Sequence, residues 1–243
     1  MYDLDGETAI VTGAAQGFGR GIAERFADAG ANVVLADVQL EKAEEVAAGI
    51  RADGADAAVV ECDVTDVEAA ESLVADTVDR FGSVEVLVNN AGGGGGGRFT
   101  DLDPAEWRRV VDLNLNGSFN CAYAAVPHML ENGDGRIVNI SSMAGRNVTV
   151  NGNANYTSSK WGVIGLAKHI ARDHGPTVRA NAVCPGGSPN GPMGRFVEAE
   201  DVAKACLFLA TEASSFVTGT VLEVDGGGQL NPSAEDLDIG EPN

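Results

Sequence analysis

Seven short apolar runs, Thr8–Thr12, Asn32–Asp37, Ala57–Val64, Val84–Asn89, Arg136–Ser141, Val178–Cys184 and Val221–Val224, alternate with longer amphipathic stretches. Within the runs hydrophobicity is continuous rather than alternating, which predicts strands buried on both faces, as in a parallel sheet. Helices are predicted between them near Gly17–Ala29, Leu40–Ala52, Asp66–Phe81, Pro104–Leu130, Asn155–His174 and Ala199–Ala210. Seven strands interleaved with helices read as an α/β protein, a doubly wound parallel seven-stranded sheet (Rossmann fold). At 243 residues one such domain is expected, over residues 1–230, followed by an acidic tail over 231–243.

The first strand runs directly into Thr12-Gly13-Ala14-Ala15-Gln16-Gly17-Phe18-Gly19, which opens a helix. Backbone amides and the helix dipole favour a phosphate there, and glycines let the backbone approach a pyrophosphate with no Cβ in the way. A glycine-rich turn also occurs without a ligand, so its context decides. Tyr156 and Lys160 supply part of that context. Residues four apart share a helix face, so the Lys160 charge is expected to favour the phenolate and pull the Tyr156 pKa down from about 10. A tyrosine so placed can act as acid or base near neutral pH.

With these motifs the chain resembles the short-chain dehydrogenase/reductase family over nearly its whole length. The pattern appears in order: the glycine turn, Asn89-Asn90-Ala91-Gly92, Asn114, Ser142, Tyr156 and Lys160, Cys184-Pro185-Gly186, and Val224-Asp225-Gly226-Gly227. The resemblance implies an NAD(H)-dependent oxidoreductase that interconverts a secondary alcohol and a ketone. Tyr156 would be the proton donor in reduction and the base in oxidation. Lys160 would hold the nicotinamide ribose, Ser142 would polarise the substrate oxygen, and Asn114 would hold a water in a relay behind Lys160. Ser141 is the rival to Ser142.

For the cofactor the resemblance implies contacts from Gly13, Gln16, Gly17, Phe18, Gly19, Asn90 and Gly92, from Asp63 and Val64 at the adenine, and from Pro185 and Gly186 at the nicotinamide, besides Tyr156 and Lys160. Asp37 ends the second strand, where a carboxylate accepts hydrogen bonds from ribose hydroxyls and repels a 2′-phosphate, so NAD is favoured over NADP. The alternative role for Asp37 is to cap the next helix. A homotetramer is also implied, packed through the helices around Asp112–Leu130 and Asn155–His174. Alternative functions are 3-oxoacyl thioester reduction, or an NAD-binding sensor or assembly protein with weak turnover.

Two segments depart from the family pattern. After Pro185-Gly186 the family usually carries a lid of roughly twenty or more residues, whereas Gly187–Pro192 leads almost at once to Met193-Gly194-Arg195, and Asn190 stands where a threonine is common. Gly92 to Gly97 form a run of six glycines beside the expected site, read either as a mobile flap or as neutral drift. Both features predict an open, shallow substrate site.

Composition narrows the partners. A net charge of −20 and a pI near 4.3 argue against nucleic acid and anionic membrane. The four lysines against twelve arginines, in so acidic a chain, suggest a salt-loving source. Cys62, Cys121, Cys184 and Cys206 show no metal-ligand spacing, His128, His169 and His174 read as surface or packing residues, and no metal is expected. No signal-peptide pattern or membrane-length apolar run is apparent, so a soluble cytoplasmic enzyme of small alcohols or ketones is expected.

Overall fold

The computed structural model describes residues 2–94, 97–149, 153–189 and 191–230. The expected acidic tail, Asn190, and Gly95 and Gly96 of the glycine run lie outside them. In chain order the elements are β1 (Thr8–Thr12), α1 (Gly17–Asp28), β2 (Asn32–Asp37), α2 (Leu40–Ala52), β3 (Ala57–Glu61), α3 (Val67–Phe81), β4 (Val86–Asn89), α4 (Pro104–Val111) and α5 (Gly117–Asn132). They continue with β5 (Gly135–Ile140), α6 (Ala154–His174), β6 (Val178–Pro185), β7 (Gly187–Ser188), β8 (Arg195–Phe196), α7 (Ala199–Ala210) and β9 (Val221–Val224).

Seven strands form one sheet in the order β3-β2-β1-β4-β5-β6-β9, and every pairing in it is parallel. The order reverses between β1 and β4, so the crevice beyond their carboxyl ends is where this topology takes a ligand. Successive strand residues face opposite layers. Ala9, Val11, Val33 and Leu35 join the core that includes Ile22 and Phe26 of α1 and Val202 and Leu209 of α7. Ile10, Val34 and Ala36 join the core under α3, α5 and α6, with Leu73, Cys121 and Ile170. Burial on both faces accounts for the unbroken apolar runs.

Two boundaries differ from the sequence expectation in ways that matter for function. β3 ends at Glu61 rather than at Val64, because the Asp63 carboxylate accepts from Thr65 N at 3.0 Å and from Thr65 Oγ1 at 2.8 Å and turns the chain out of the sheet. The single helix expected over Pro104–Leu130 is three pieces: α4, a π turn over Asp112–Asn116, and α5. Such turns mark places where a helix trades regularity for position. In place of a helical lid, β7 and β8 pair as a small antiparallel hairpin. The Arg195 guanidinium pins it, donating to Asp201 at 2.6 and 2.8 Å, and Asp201 closes a capping box with Glu198 at the start of α7.

Candidate active site

A cleft of about 660 Å³ lies at the reversal point. Its lining includes Gly13, Gln16, Phe18, Asp37, Asn90 and Gly92 at one end and Ser142, Tyr156, Lys160, Pro185 and Gly186 at the other. A recess of about 70 Å³ adjoins it, lined by Asp37, Asp63 and Val64 among others. The strand ends have therefore brought together almost every residue singled out in the sequence. Gly17, Gly19 and Asn114 are the exceptions, and each shapes the cleft from outside its lining.

The glycine turn is built for close approach. Gly13 has φ +65° and packs so near β4 that a β-carbon would lie 2.9 Å from Ala91 Cα. A β-carbon on Gly19 would overlap the Gly13 carbonyl, while Gly17, at φ +58°, has nothing within 4 Å of that position. Asn90 tightens the turn from below, its amide donating to Thr12 O at 2.9 Å and Gly13 O at 3.0 Å. Asn90 thus supports the turn through its side chain. At the start of α1, Gln16 makes no side-chain cap hydrogen bond, so the first amides of the helix keep their donors for an anion. An uncapped helix start, open space over Gly17 and a cleft leading away from it fit a dinucleotide.

Asp37 is buried and both its oxygens are engaged: Oδ2 accepts from Ala15 N and Oδ1 from Gln39 N, each at 2.9 Å. It therefore joins the glycine turn to Gln39, the N-cap residue of α2, and it also lines the cleft. Lys42 Nζ donates to Gln39 Oε1 at 2.8 Å on the exposed side of this corner. Val64 is fixed from behind by Asn120, whose Nδ2 donates to Val64 O at 2.9 Å, and by Gly117, where a β-carbon would press 3.1 Å from Val64 Cβ.

At the other end, α6 sets Tyr156 and Lys160 one turn apart, with Lys160 Nζ 5.6 Å from the Tyr156 ring centroid. The adjacent serines divide their work. Ser141 is buried and donates to Lys160 O at 2.8 Å, whereas Ser142 accepts from Ala144 N at 3.1 Å, and it is the Ser142 side chain that acts to lower the Tyr156 pKa. Gly186 is required because a β-carbon would overlap Met143. Cys184 is buried beneath this corner, where burial pushes its thiol pKa up.

The expected lowering of the Tyr156 pKa does not hold in this state. Burial raises it, and the Ser142 side chain opposes that only in part. Lys160 is almost wholly buried as well: its pKa falls to about 8 through desolvation, and Nζ donates to Ile140 O at 2.8 Å. Desolvation thus opposes the charged form of both partners, the Tyr156 phenolate and the Lys160 ammonium. The Asn114 side chain is held on both its oxygen and its nitrogen. Its Nδ2 donates to Gly93 O at 2.7 Å and Val110 O at 2.8 Å, and Gly93 N donates to its Oδ1 at 3.3 Å. The beginning of the glycine run is thus fastened to the π turn.

Sequence reasoning missed several lining residues, including Val38, Leu113, Ile140 and Val197. Ile140 contributes through its carbonyl and Val197 through the hairpin's position, and neither leaves a residue-type signal.

The family model described as short chain dehydrogenase matches residues 7–200, and the model described as Enoyl-(Acyl carrier protein) reductase matches residues 187–229. The chain is 42% identical over 240 residues to trans-4-hydroxycyclohexanecarboxylate dehydrogenase of Sinomonas cyclohexanicum, covering 91% of this chain and 92% of that protein. It is 38% identical over 242 residues to 3-oxoacyl-[acyl-carrier-protein] reductase of Staphylococcus aureus, covering 91% and 97%. It is 37% identical over 244 residues to 7alpha-hydroxysteroid dehydrogenase of Escherichia coli, covering 93% and 95%. Among solved structures, the crystal structure of gox2181 superposes with a TM-score of 0.91 at 34% identity, covering 95% of this chain and 100% of that one.

Proposed function

The chain belongs to the short-chain dehydrogenase family, and from that premise we propose that it interconverts a secondary alcohol and a ketone with NAD(H), Tyr156 moving the proton. The observation that carries this reading is the convergence of Ser142, Tyr156 and Lys160 with the glycine turn and Asp37 on one cleft. When bound, the nicotinamide would supply or take the hydride.

The uncapped start of α1 would hold the pyrophosphate, Asp37 the adenosine ribose, and the recess beside Asp63 and Val64 the adenine. In reduction the Tyr156 hydroxyl donates to the oxygen that becomes alkoxide, and the Ser142 hydroxyl donates to the same oxygen as its charge develops. The raised Tyr156 pKa keeps the phenol protonated for that role. In oxidation the phenolate accepts the alcohol proton, and the Lys160 charge makes that form accessible once it is aligned.

The relatives named above act, by their names, on a hydroxylated ring acid, an oxoacyl thioester and a hydroxysteroid. Their shared secondary alcohol or ketone centre is what carries over to this chain. The short hairpin in place of a lid supports an open substrate side. We read residues 1–230 as one catalytic unit working in the cytoplasm, supported by four free buried cysteines. We also read it as a homotetramer, supported by exposed Phe119 and Tyr123 stacked on α5 and exposed Trp161 on α6. Net charge −20 supports work in concentrated salt.

NAD preference rests on Asp37, which would meet a 2′-phosphate as a buried like charge. Fluorescence titration should give a dissociation constant for NADH at least roughly tenfold below that for NADPH, and Asp37→Ser should narrow the ratio. Equal or reversed affinity in the unaltered protein would refute the coenzyme assignment.

A further inference from the structure

Behind the cleft a string of buried amides and one hydroxyl runs from the sheet to the π turn. Asn89 Nδ2 on β4 donates to Asn139 Oδ1 on β5 at 2.9 Å and to Ser118 O at 3.1 Å. The Ser118 hydroxyl, at the second residue of α5, donates back to Asn114 O at 2.8 Å. Asn89, Asn114, Ser118 and Asn139 are all at most 5% exposed. Nothing in the catalytic scheme above uses Ser118.

A serine that bonds the carbonyl four residues back ordinarily weakens a helix a little. Here it does so beside the π turn, on the carbonyl of the one residue whose side chain fastens Gly93. Asn114 Oδ1 and Lys160 Nζ also converge on one point over Gly92, where a β-carbon would lie 2.6 Å from the first and 3.3 Å from the second. The tilt of the Asn114 peptide therefore bears on where its amide lies relative to the Lys160 ammonium, which donates to Ile140 O. Loss of that alignment leaves a buried ammonium with fewer acceptors and less able to favour the phenolate.

We infer that Ser118 is a positioning residue for the proton-transfer site, holding the Asn114 carbonyl so that Asn114 and Lys160 face each other across Gly92. This inference rests on the reading of Tyr156 and Lys160 as the acid–base pair. Among the described residues, the ionisable groups around Tyr156 are Lys160 on the same helix and Cys184 on β6, the latter flanked by Arg146 and by Glu223 on β9. Those last two pair with each other at 2.8 Å, so Ser118 substitution leaves them in place.

The test is a tyrosinate absorbance titration with and without saturating NAD, taking the difference between each protein and its Tyr156→Phe counterpart to isolate Tyr156. Ser118→Ala should raise the Tyr156 midpoint by about half a unit or more, as Asn114→Ala should. NADH affinity should stay within roughly twofold of the unaltered protein for Ser118→Ala, and Ser118→Thr, which retains the hydroxyl, should restore the midpoint. A midpoint unmoved by Ser118→Ala but moved by Asn114→Ala would overturn the role of Ser118 while the acid–base reading stands. A difference titration showing no Tyr156 step that depends on Lys160, tested with Lys160→Met, would sink the acid–base reading and this inference with it. Loss of NADH binding in Ser118→Ala would show a merely structural role and also overturn the inference.

Discussion

Burial alters the chemistry of Lys160 strongly, its pKa falling to about 8 from the ordinary 10.5. Between those values the unfolded chain holds the proton and the folded chain has released it, so stability rises with pH across the window. Below about 8 both states are protonated and the cost of the buried charge is constant. Lys160→Met removes the proton from both states. Denaturant unfolding should therefore show the unaltered protein gaining on the variant by about 2 kcal/mol between about pH 7.5 and pH 9.5. A gap that stays constant or closes would contradict the burial argument. Above about 10 the raised Tyr156 pKa acts in the opposite sense, since the unfolded phenol ionises first. The spacing of Tyr156 and Lys160 was legible because helical periodicity fixes it. The direction of the Tyr156 shift was not, because desolvation depends on what packs around the pair. Nor does sequence alone show that the Ser141 hydroxyl is turned to Lys160 O while Ser142 accepts from Ala144 N.

At the scale of elements, the first turn of α1 contains two glycines that answer to different constraints. Gly17 needs its positive φ but has open space, whereas Gly19 is in the first turn of α1 and lies against Gly13 O and Asn90. Gly17→Ala should cost about 1 kcal/mol of folding stability. Gly19→Ala should cost about 1–3 kcal/mol and weaken NADH binding by at least roughly tenfold, because relief of the overlap must move the turn itself. Thermal melts and NADH titration of both variants decide this, and equal effects would show that the close packing does not matter. Most strand and helix bounds were legible from apolar pattern, several to the residue, as with α2 and β9. The π turn at Asp112–Asn116 was not, since its apolar spacing continues that of the flanking helices and only the backbone registers the extra residue. The hairpin replacing a lid was likewise hidden, because two-residue strands carry no periodicity.

Across the whole molecule, parallel pairing puts the carboxyl ends of the seven sheet strands on one edge, so motifs far apart in sequence meet in one cleft. That is why so much of the candidate site could be listed from the sequence: the motifs sit at strand ends, and the topology collects strand ends. What the cleft admits was less legible, since lining groups such as Ile140 and Val197 enter through backbone course rather than residue type. The account depends on a phenol moving the proton while a nicotinamide exchanges the hydride. Its most direct test follows NADH formation from NAD and trans-4-hydroxycyclohexanecarboxylate, with a panel of other secondary alcohols, in molar potassium chloride. The unaltered protein should reduce NAD with at least one of these alcohols, and Tyr156→Phe should lose roughly 10²–10⁴-fold of that rate with NADH binding intact. An unchanged rate in Tyr156→Phe, or no NADH from any alcohol or consumption of it by any matching ketone, would contradict the account.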